Sequence, residues 1–169
     1  LQEADFIVRD ELKKADLEYN YFEKSIDEYI KKLEHEDIDL ILGIEAMGIP
    51  LAACISIATG IPLVIGRKRP YELPGGVTVD QSTGYSKGAI FINDVKPNER
   101  VFVVDDVIST GGTLRAVLTA VEKAGAIIQD VIAVFEKNNI VSELVADTGW
   151  PIRSLVRVSM DGDQVVLLD

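Results

Sequence analysis

An α/β fold, a mostly parallel twisted sheet flanked by helices, is what this sequence predicts, and two observations carry the prediction. Short runs dense in Val, Ile and Leu alternate with segments of helical periodicity, the pattern of strands joined by crossover helices. One such run, VFVVDD at 101–106, passes through a turn of hydroxyls and glycines directly into a helix pattern. In folds of this kind ligands sit beyond the carboxyl ends of the strands. The loops after Ile44, Arg67 and Val104 are therefore the places to look for function.

The elements follow in order. Residues 22–35 (FEKSIDEYIKKLEH) put Phe22, Ile26, Tyr29, Ile30 and Leu33 at helical spacing, predicting an amphipathic helix. IDLILGIE (38–45) has the unbroken apolar core of a buried strand, and a helix is predicted over 49–59. IPLVIGR (61–67) reads as the second strand. Prolines and glycines then displace the apolar runs, and 68–88 is predicted to be a long mobile excursion, the kind of loop that is functional or disordered. AIFIN (89–93) is a short strand and RVFVVDD (100–106) the central one. The helix after it spans 113–124 and stops at Gly125. QDVIAVFEK (129–137), IRSLVRVSM and QVVLL complete the sheet. Trp150, followed by proline, is read as packing between helix and strand.

With 169 residues and no repeat or linker, the chain fits a single domain over 1–169, opened by an N-terminal segment at 1–37. No segment approaches the ~18 consecutive apolar residues of a membrane helix. The opening LQEADFIVRDELKKAD mixes charges from the start, unlike a secretory signal. The expectation is a cytoplasmic protein. Cys54, the one cysteine, lies in the apolar run LAACISIA and is read as inert core packing. His35 stands among Glu34, Glu36 and Asp37 and is read as exposed, with no partners for a metal site. The net charge of −11 argues against nucleic-acid and anionic-membrane partners. It also sets a condition. Screening over roughly 8 Å lets a local cation outweigh the global repulsion, so a phosphate site here must gather Lys, Arg, backbone amides or a metal in one place.

The segment VFVVDDVISTGGT (101–113) carries the chemistry. Its strand delivers Asp105 and Asp106 to the sheet edge, and Ser109, Thr110, Gly111, Gly112 and Thr113 then open a helix. Glycines let the backbone curl around an anion, and the free amides of a helix start point at it. The Walker pattern is missing, as is the dinucleotide fingerprint. Acids beside a phosphate cradle repel its ligand unless they face something neutral, and vicinal sugar hydroxyls meet that need. Each hydrogen bond to a charged acceptor is worth roughly 1.5–3 kcal/mol. A diol on two acids with its 5-phosphate in a glycine cradle describes ribose 5-phosphate. A capped helix following an acidic strand end fits the same spacing.

VVDDVISTGGT resembles the PRPP-binding motif of the type I phosphoribosyltransferases. The resemblance implies that Asp105 and Asp106 hold the ribose hydroxyls at the catalytic centre, while Ser109 through Thr113 form the 5-phosphate loop. GIEAMGIP (43–50) resembles the pyrophosphate loop of the adenine members, which gives that role to Glu45, Ala46, Met47 and Gly48. Met47 stands where an arginine is usual. RKRPYELPGG (67–76) resembles the start of the catalytic hood in the same enzymes, so Arg67, Lys68 and Arg69 bind pyrophosphate and Arg67 and Lys68 assist catalysis. Gly76 occupies the place of a customary acid. With QSTGYSKG (81–88) and Ile92-Asn93, the set is similar to archaeal purine phosphoribosyltransferases for hypoxanthine and guanine, or adenine, from about residue 38 to the end. Residues 1–35 lack the family's usual opening.

That resemblance further implies a mobile hood carrying Tyr71, Tyr85 and Lys87, and a base pocket at Val107, Phe135 and Lys137. PRPP and a purine are the implied substrates, Mg2+ is held mainly by PRPP with no direct protein ligand, and the assembly is a homodimer. A lysine ammonium donates hydrogen bonds and cannot accept them. Lys137 therefore favours the 6-oxo group of hypoxanthine or guanine over the amino group of adenine. Adenine transfer and a non-catalytic PRPP- or purine-sensing regulator are the alternatives. Against the regulator, residues 1–37 are too short and acidic for a DNA-binding module.

Overall fold

A computed structural model describes residues 37–70, 76–82, 87–162 and 164–168. The helix predicted over 22–35, with His35, lies outside the described residues. The first element is β1 (Leu40–Ile44), followed by α1 (Gly48–Thr59), β2 (Leu63–Gly66), β3 (Val77–Ser82) and β4 (Lys87–Ile92). Then come β5 (Arg100–Ile108), α2 (Gly112–Lys123), β6 (Ile127–Lys137), α3 (Ile140–Thr148), β7 (Ile152–Asp161) and β8 (Gln164–Leu168).

Six strands form one sheet in the order β2-β1-β5-β6-β7-β8, and β3 and β4 form a separate two-stranded ribbon. All pairings from β2 to β7 are parallel, and only β8 runs antiparallel, against β7. The order follows from short right-handed crossovers: α1 carries the chain outward from β1 to β2, whereas α2 and α3 carry it the other way from β5. The direction of winding thus reverses between β1 and β5. That is the switch point at which open α/β sheets hold ligands.

Two apolar layers sandwich the sheet. On one face Leu51, Ala52 and Ile55 of α1 meet Ile41, Phe102, Val104 and Ile132. On the other, Leu114, Val117, Leu118 and Val121 of α2 join Val141 and Leu144 of α3 over Leu42, Val103 and Val131. Val79, Ile90 and Ile92 of the ribbon close this second layer.

Three sequence expectations need correction. The stretch 68–88 is not a structureless excursion: β3 pairs antiparallel with β4, and β4 begins at Lys87, two residues before the predicted strand. The alternation of Val77 and Val79 with Thr78 and Asp80 buries one face of the ribbon, with Val79 against α2. Cys54 is exposed rather than packed in the core. A wholly uncharged helix still has an outer side, and Leu51, Ala52 and Ile55 take the inner one. Finally, α3 arises where no helix was assigned. Trp150 packs on the core beside it, and its Nε1 donates to Glu122 of α2 at 2.9 Å.

At the amino end of the sheet, Arg100 at the start of β5 forks onto Asp39, with Nε–Oδ2 at 2.8 Å and Nη2–Oδ1 at 2.9 Å. Its Nη1 also reaches Asp37 at 2.8 Å. The hydrogen bonds from Arg100 hold the Asp39 carboxyl down at about 2, and the pair raises the arginine in return.

Candidate active site

The two loops at the switch point meet. The turn Glu45–Met47 leaves β1 through a cis Glu45–Ala46 peptide and enters α1 at Gly48. Gly48 lies directly on β5 at Val104 and Asp105: a Cβ there would stand 2.6 Å from the Val104 carbonyl oxygen and 3.1 Å from Asp105 Oδ1. The pyrophosphate-loop candidate and the first acid of the ribose motif are therefore in contact, although far apart in sequence.

Asp105 is 9% exposed, and its Oδ1 accepts the Asp106 amide at 2.9 Å, whereas Asp106 is half-buried. Burial pushes the Asp105 carboxyl well above the ordinary carboxylate value, and the neighbouring Asp106 charge pushes it further. The backbone bond from Asp106 and the positive charge of Lys68 act in the opposite sense. The sheet thus presents a carboxyl that gains from hydrogen-bond donors or positive charge arriving in front of it.

Strand β5 continues two residues beyond the predicted end, so Val107 and Ile108 belong to it and the turn is Ser109–Gly111. Gly111 takes the left-handed conformation, φ 72°, and caps α2 without any side-chain bond. No acid occupies the first turn of α2. A helix start without a carboxylate of its own leaves its partial positive charge for an anion. Thr110 is exposed, and Ser109, Gly112 and Thr113 are half-buried. Gly111 is buried, backed by Leu144 of α3, whose methyls would lie 2.9 and 3.0 Å from a Cβ at that position.

Glu45 serves as a brace between segments: its Oε2 accepts the Lys68 amide at 2.8 Å. The first basic residues of 67–69 are in this way tied to the loop after β1. Arg67 exchanges backbone hydrogen bonds with Phe91, at 2.9 and 2.8 Å, which ties the chain after β2 to β4. Lys68 and Arg69 are exposed. Ala46 and Met47 are exposed as well, Met47 at 45%. Tyr71 and Tyr85 lie outside the described residues, and Lys87 opens β4. Gly76 has a steric reason to lack a side chain, because a Cβ would meet the amide oxygen of buried Asn93 at 2.7 Å.

The base-pocket candidates also converge. Val107 pairs with Phe135 across β5 and β6, and Lys137 ends β6 opposite Val158. Between them, Glu136 is buried at 3% exposure. Sequence reasoning gave Glu136 no part; the one available signal was an acid inside an otherwise apolar strand. A shallow cavity lined by Asp130, Val145, Trp150 and Arg153 lies at the opposite end of the sheet. It does not touch this chemistry, and there Arg153 is paired with Asp130.

Comparison with known proteins identifies the family. Residues 13–146 match the phosphoribosyl transferase domain family. A hypoxanthine/guanine phosphoribosyltransferase of Methanosalsum zhilinae is 51% identical over 131 residues, covering 78% of this chain and 68% of that one. Its counterpart from Methanocella arvoryzae is 40% identical over 181 residues, covering 96% and 94%. Among solved structures, adenine phosphoribosyltransferase from Thermoanaerobacter pseudethanolicus superposes with a TM-score of 0.70 at 32% identity, covering 86% of this chain and 83% of that one. The Saccharomyces cerevisiae enzyme, solved with adenine and an imino-altritol bisphosphate, gives 0.69 at 28% identity, covering 79% and 78%. The fold is wound about a β1/β5 switch point, where an acid pair and a glycine turn lie together, the architecture of an α/β transferase of this family. The chain belongs to the phosphoribosyltransferase family.

Proposed function

We propose that this phosphoribosyltransferase transfers ribose 5-phosphate from PRPP to hypoxanthine or guanine, releasing pyrophosphate, as a step of purine salvage. The observation that carries the reading is the abutment of Gly48 on Asp105, next to the acid-free first turn of α2. It supports a reading in which a diol site lies between two phosphate sites, the layout of PRPP. In this reading Asp105 and Asp106 accept from the ribose hydroxyls, and Ser109 through Thr113 receive the 5-phosphate. The leaving pyrophosphate meets Arg67, Lys68, Arg69 and the amides around Ala46–Gly48.

Displacement at C1 builds positive charge on the ribose and negative charge on the leaving group. Catalysis is then mainly positioning and stabilisation of the departing anion. Val107 and Phe135 flank the base, and Lys137 donates to its 6-oxo group. Closure of the hood would exclude water from the activated sugar. Among the described residues no cluster of three or more His, Cys, Asp or Glu could hold a metal. Mg2+ is held mainly by PRPP in this reading, and the acid pair, with Asp105 raised by burial and by the charge of Asp106, gains from a cation delivered on PRPP oxygens. Carried on PRPP, Mg2+ would supply Lewis-acid stabilisation of the leaving pyrophosphate.

Support for the 6-oxopurines comes from the lysine donor and from the relatives named for hypoxanthine and guanine. The EAMG and LPG segments and the adenine-named structural neighbours favour the second reading, adenine transfer. Competition of adenine against hypoxanthine and guanine, with PRPP and Mg2+, decides between them. A 6-oxopurine preference that weakens in Lys137→Ala is expected; an adenine preference untouched by Lys137→Ala would reject the proposal. A homodimer in the cytoplasm is part of the same reading. Sedimentation of the active species measures the oligomer, and a catalytically competent monomer would overturn that part. Among the described residues no helix is long and apolar enough to cross a membrane.

A further inference from the structure

We propose that Glu136 is a positioning residue of the phosphoribosyl site, acting on the 5-phosphate loop through α3. The proposal rests on the site reading above. Glu136 is buried, and three donors converge on its carboxylate. The Val141 amide donates to Oε2 at 2.9 Å, the Ser154 hydroxyl to Oε1 at 2.9 Å, and Arg157 Nε to Oε1 at 3.3 Å. A buried carboxylate is tolerated only when donors surround it, so this one ties three elements to a single point. The first turn of α3 has no side-chain cap from Asn139. Glu136 supplies the missing acceptor from outside the helix, where the orphan amides and the helix dipole favour a negative charge.

What α3 does explains why that anchor matters. One turn after Val141, Leu144 is 1% exposed and lies against Gly111, the left-handed residue on which the phosphate loop turns into α2. Near the far end of α3, Asp147 pairs with Arg115 in the first turn of α2 at 2.7 Å. The amide of Arg115 in turn donates to the Gly111 carbonyl at 2.8 Å. The helix thus holds the phosphate loop from behind at two places, and Glu136 fixes where the helix begins. Glu136 also stands between Phe135 and Lys137, so the same carboxylate sets the strand end that faces the base.

Glu136→Gln tests this. The amide keeps the side-chain shape but turns a donor toward Val141 or Arg157, both donors themselves. Binding of ribose 5-phosphate by calorimetry and PRPP kinetics are measured on wild type and variant, with circular dichroism as a check of folding. The expected result is a loss of ribose 5-phosphate affinity and a rise in the KM for PRPP of about tenfold, with kcat within about threefold of wild type. Affinity and KM within about twofold of wild type, whatever the melting temperature, overturn the proposal. If Glu136→Gln fails to fold, Arg157→Gln removes one donor from the same carboxylate. It is expected to shift the same two quantities by about threefold, and no shift overturns the proposal equally. An inactive wild type that still binds ribose 5-phosphate would count against the transfer reading and leave the positioning test intact.

Discussion

Asp105 concentrates the chemistry of the site in one side chain. Its carboxyl is held above the ordinary value by burial and by Asp106, so in the free protein this group favours folding most at low pH. That contribution declines as the pH rises from the unfolded value of 3.8 through the raised folded one. In the proposed reading ribose hydroxyls donate to the ionised form and pull the carboxyl down again. Ligand binding should therefore release a proton, and affinity should rise with pH across the window between the bound and free values. Calorimetry of ribose 5-phosphate binding in two buffers of different ionisation enthalpy measures this, and proton uptake would contradict it. Replacing both acids, Asp105→Asn with Asp106→Asn, removes two charge-assisted contacts worth together about 3–6 kcal/mol at most. The expected outcome is weak PRPP binding and almost no turnover in a folded protein; unchanged kinetics would refute the assignment.

The elements that build the site differ in how plainly the sequence announces them. Strand β5 is legible because four consecutive apolar residues are followed by two acids and a glycine turn, where local pattern and function coincide. The ribbon β3–β4 is not, because VTVDQS offers no apolar run, and Val77 and Val79 turn inward in alternation with exposed Thr78 and Asp80. A period of two carried by two valines is easily lost among prolines and glycines. Helix α3 has nine residues, and Ile140, Val141, Leu144 and Val145 between Asn139 and Gly149 were its whole signal. Cys54 was misplaced because composition marks α1 as apolar and only its phase shows which side faces the sheet. The contact of Gly48 with Asp105, and that of Leu144 with Gly111, join distant segments that no local pattern links. Gly111→Ala tests the second contact. An alanine at φ 72° costs about 1–2 kcal/mol in backbone strain alone, and its Cβ would press on Leu144. A clear drop in melting temperature with weaker ribose 5-phosphate binding is expected, and a variant equal to wild type in both would refute the packing argument.

For the molecule as a whole, the governing fact is a net charge of −11 in a protein that must hold a polyphosphate. The described cations are used unevenly. Arg100 is committed to Asp37 and Asp39 at the amino end of the sheet, Arg115 to Asp147, and Arg157 to Glu136. Lys68 and Arg69 remain exposed, and the charge of Lys68 acts on Asp105 of the acid pair. Met47 adds no charge in the loop where the family commonly has an arginine. Two or three cations on one rim offset only part of a pyrophosphate's charge, and exposed ones are screened over roughly 8 Å. In the proposed reading the backbone amides and Mg2+ carried on the substrate's oxygens supply the balance. Turnover should accordingly vanish in excess chelator and return when Mg2+ is restored. The melting temperature of the free protein should not change, because no cluster of three ligand side chains among the described residues builds the ion into the fold. Full activity in chelator would show that the protein's own cations suffice. A melting temperature that falls in chelator would show instead a resident metal that the fold depends on.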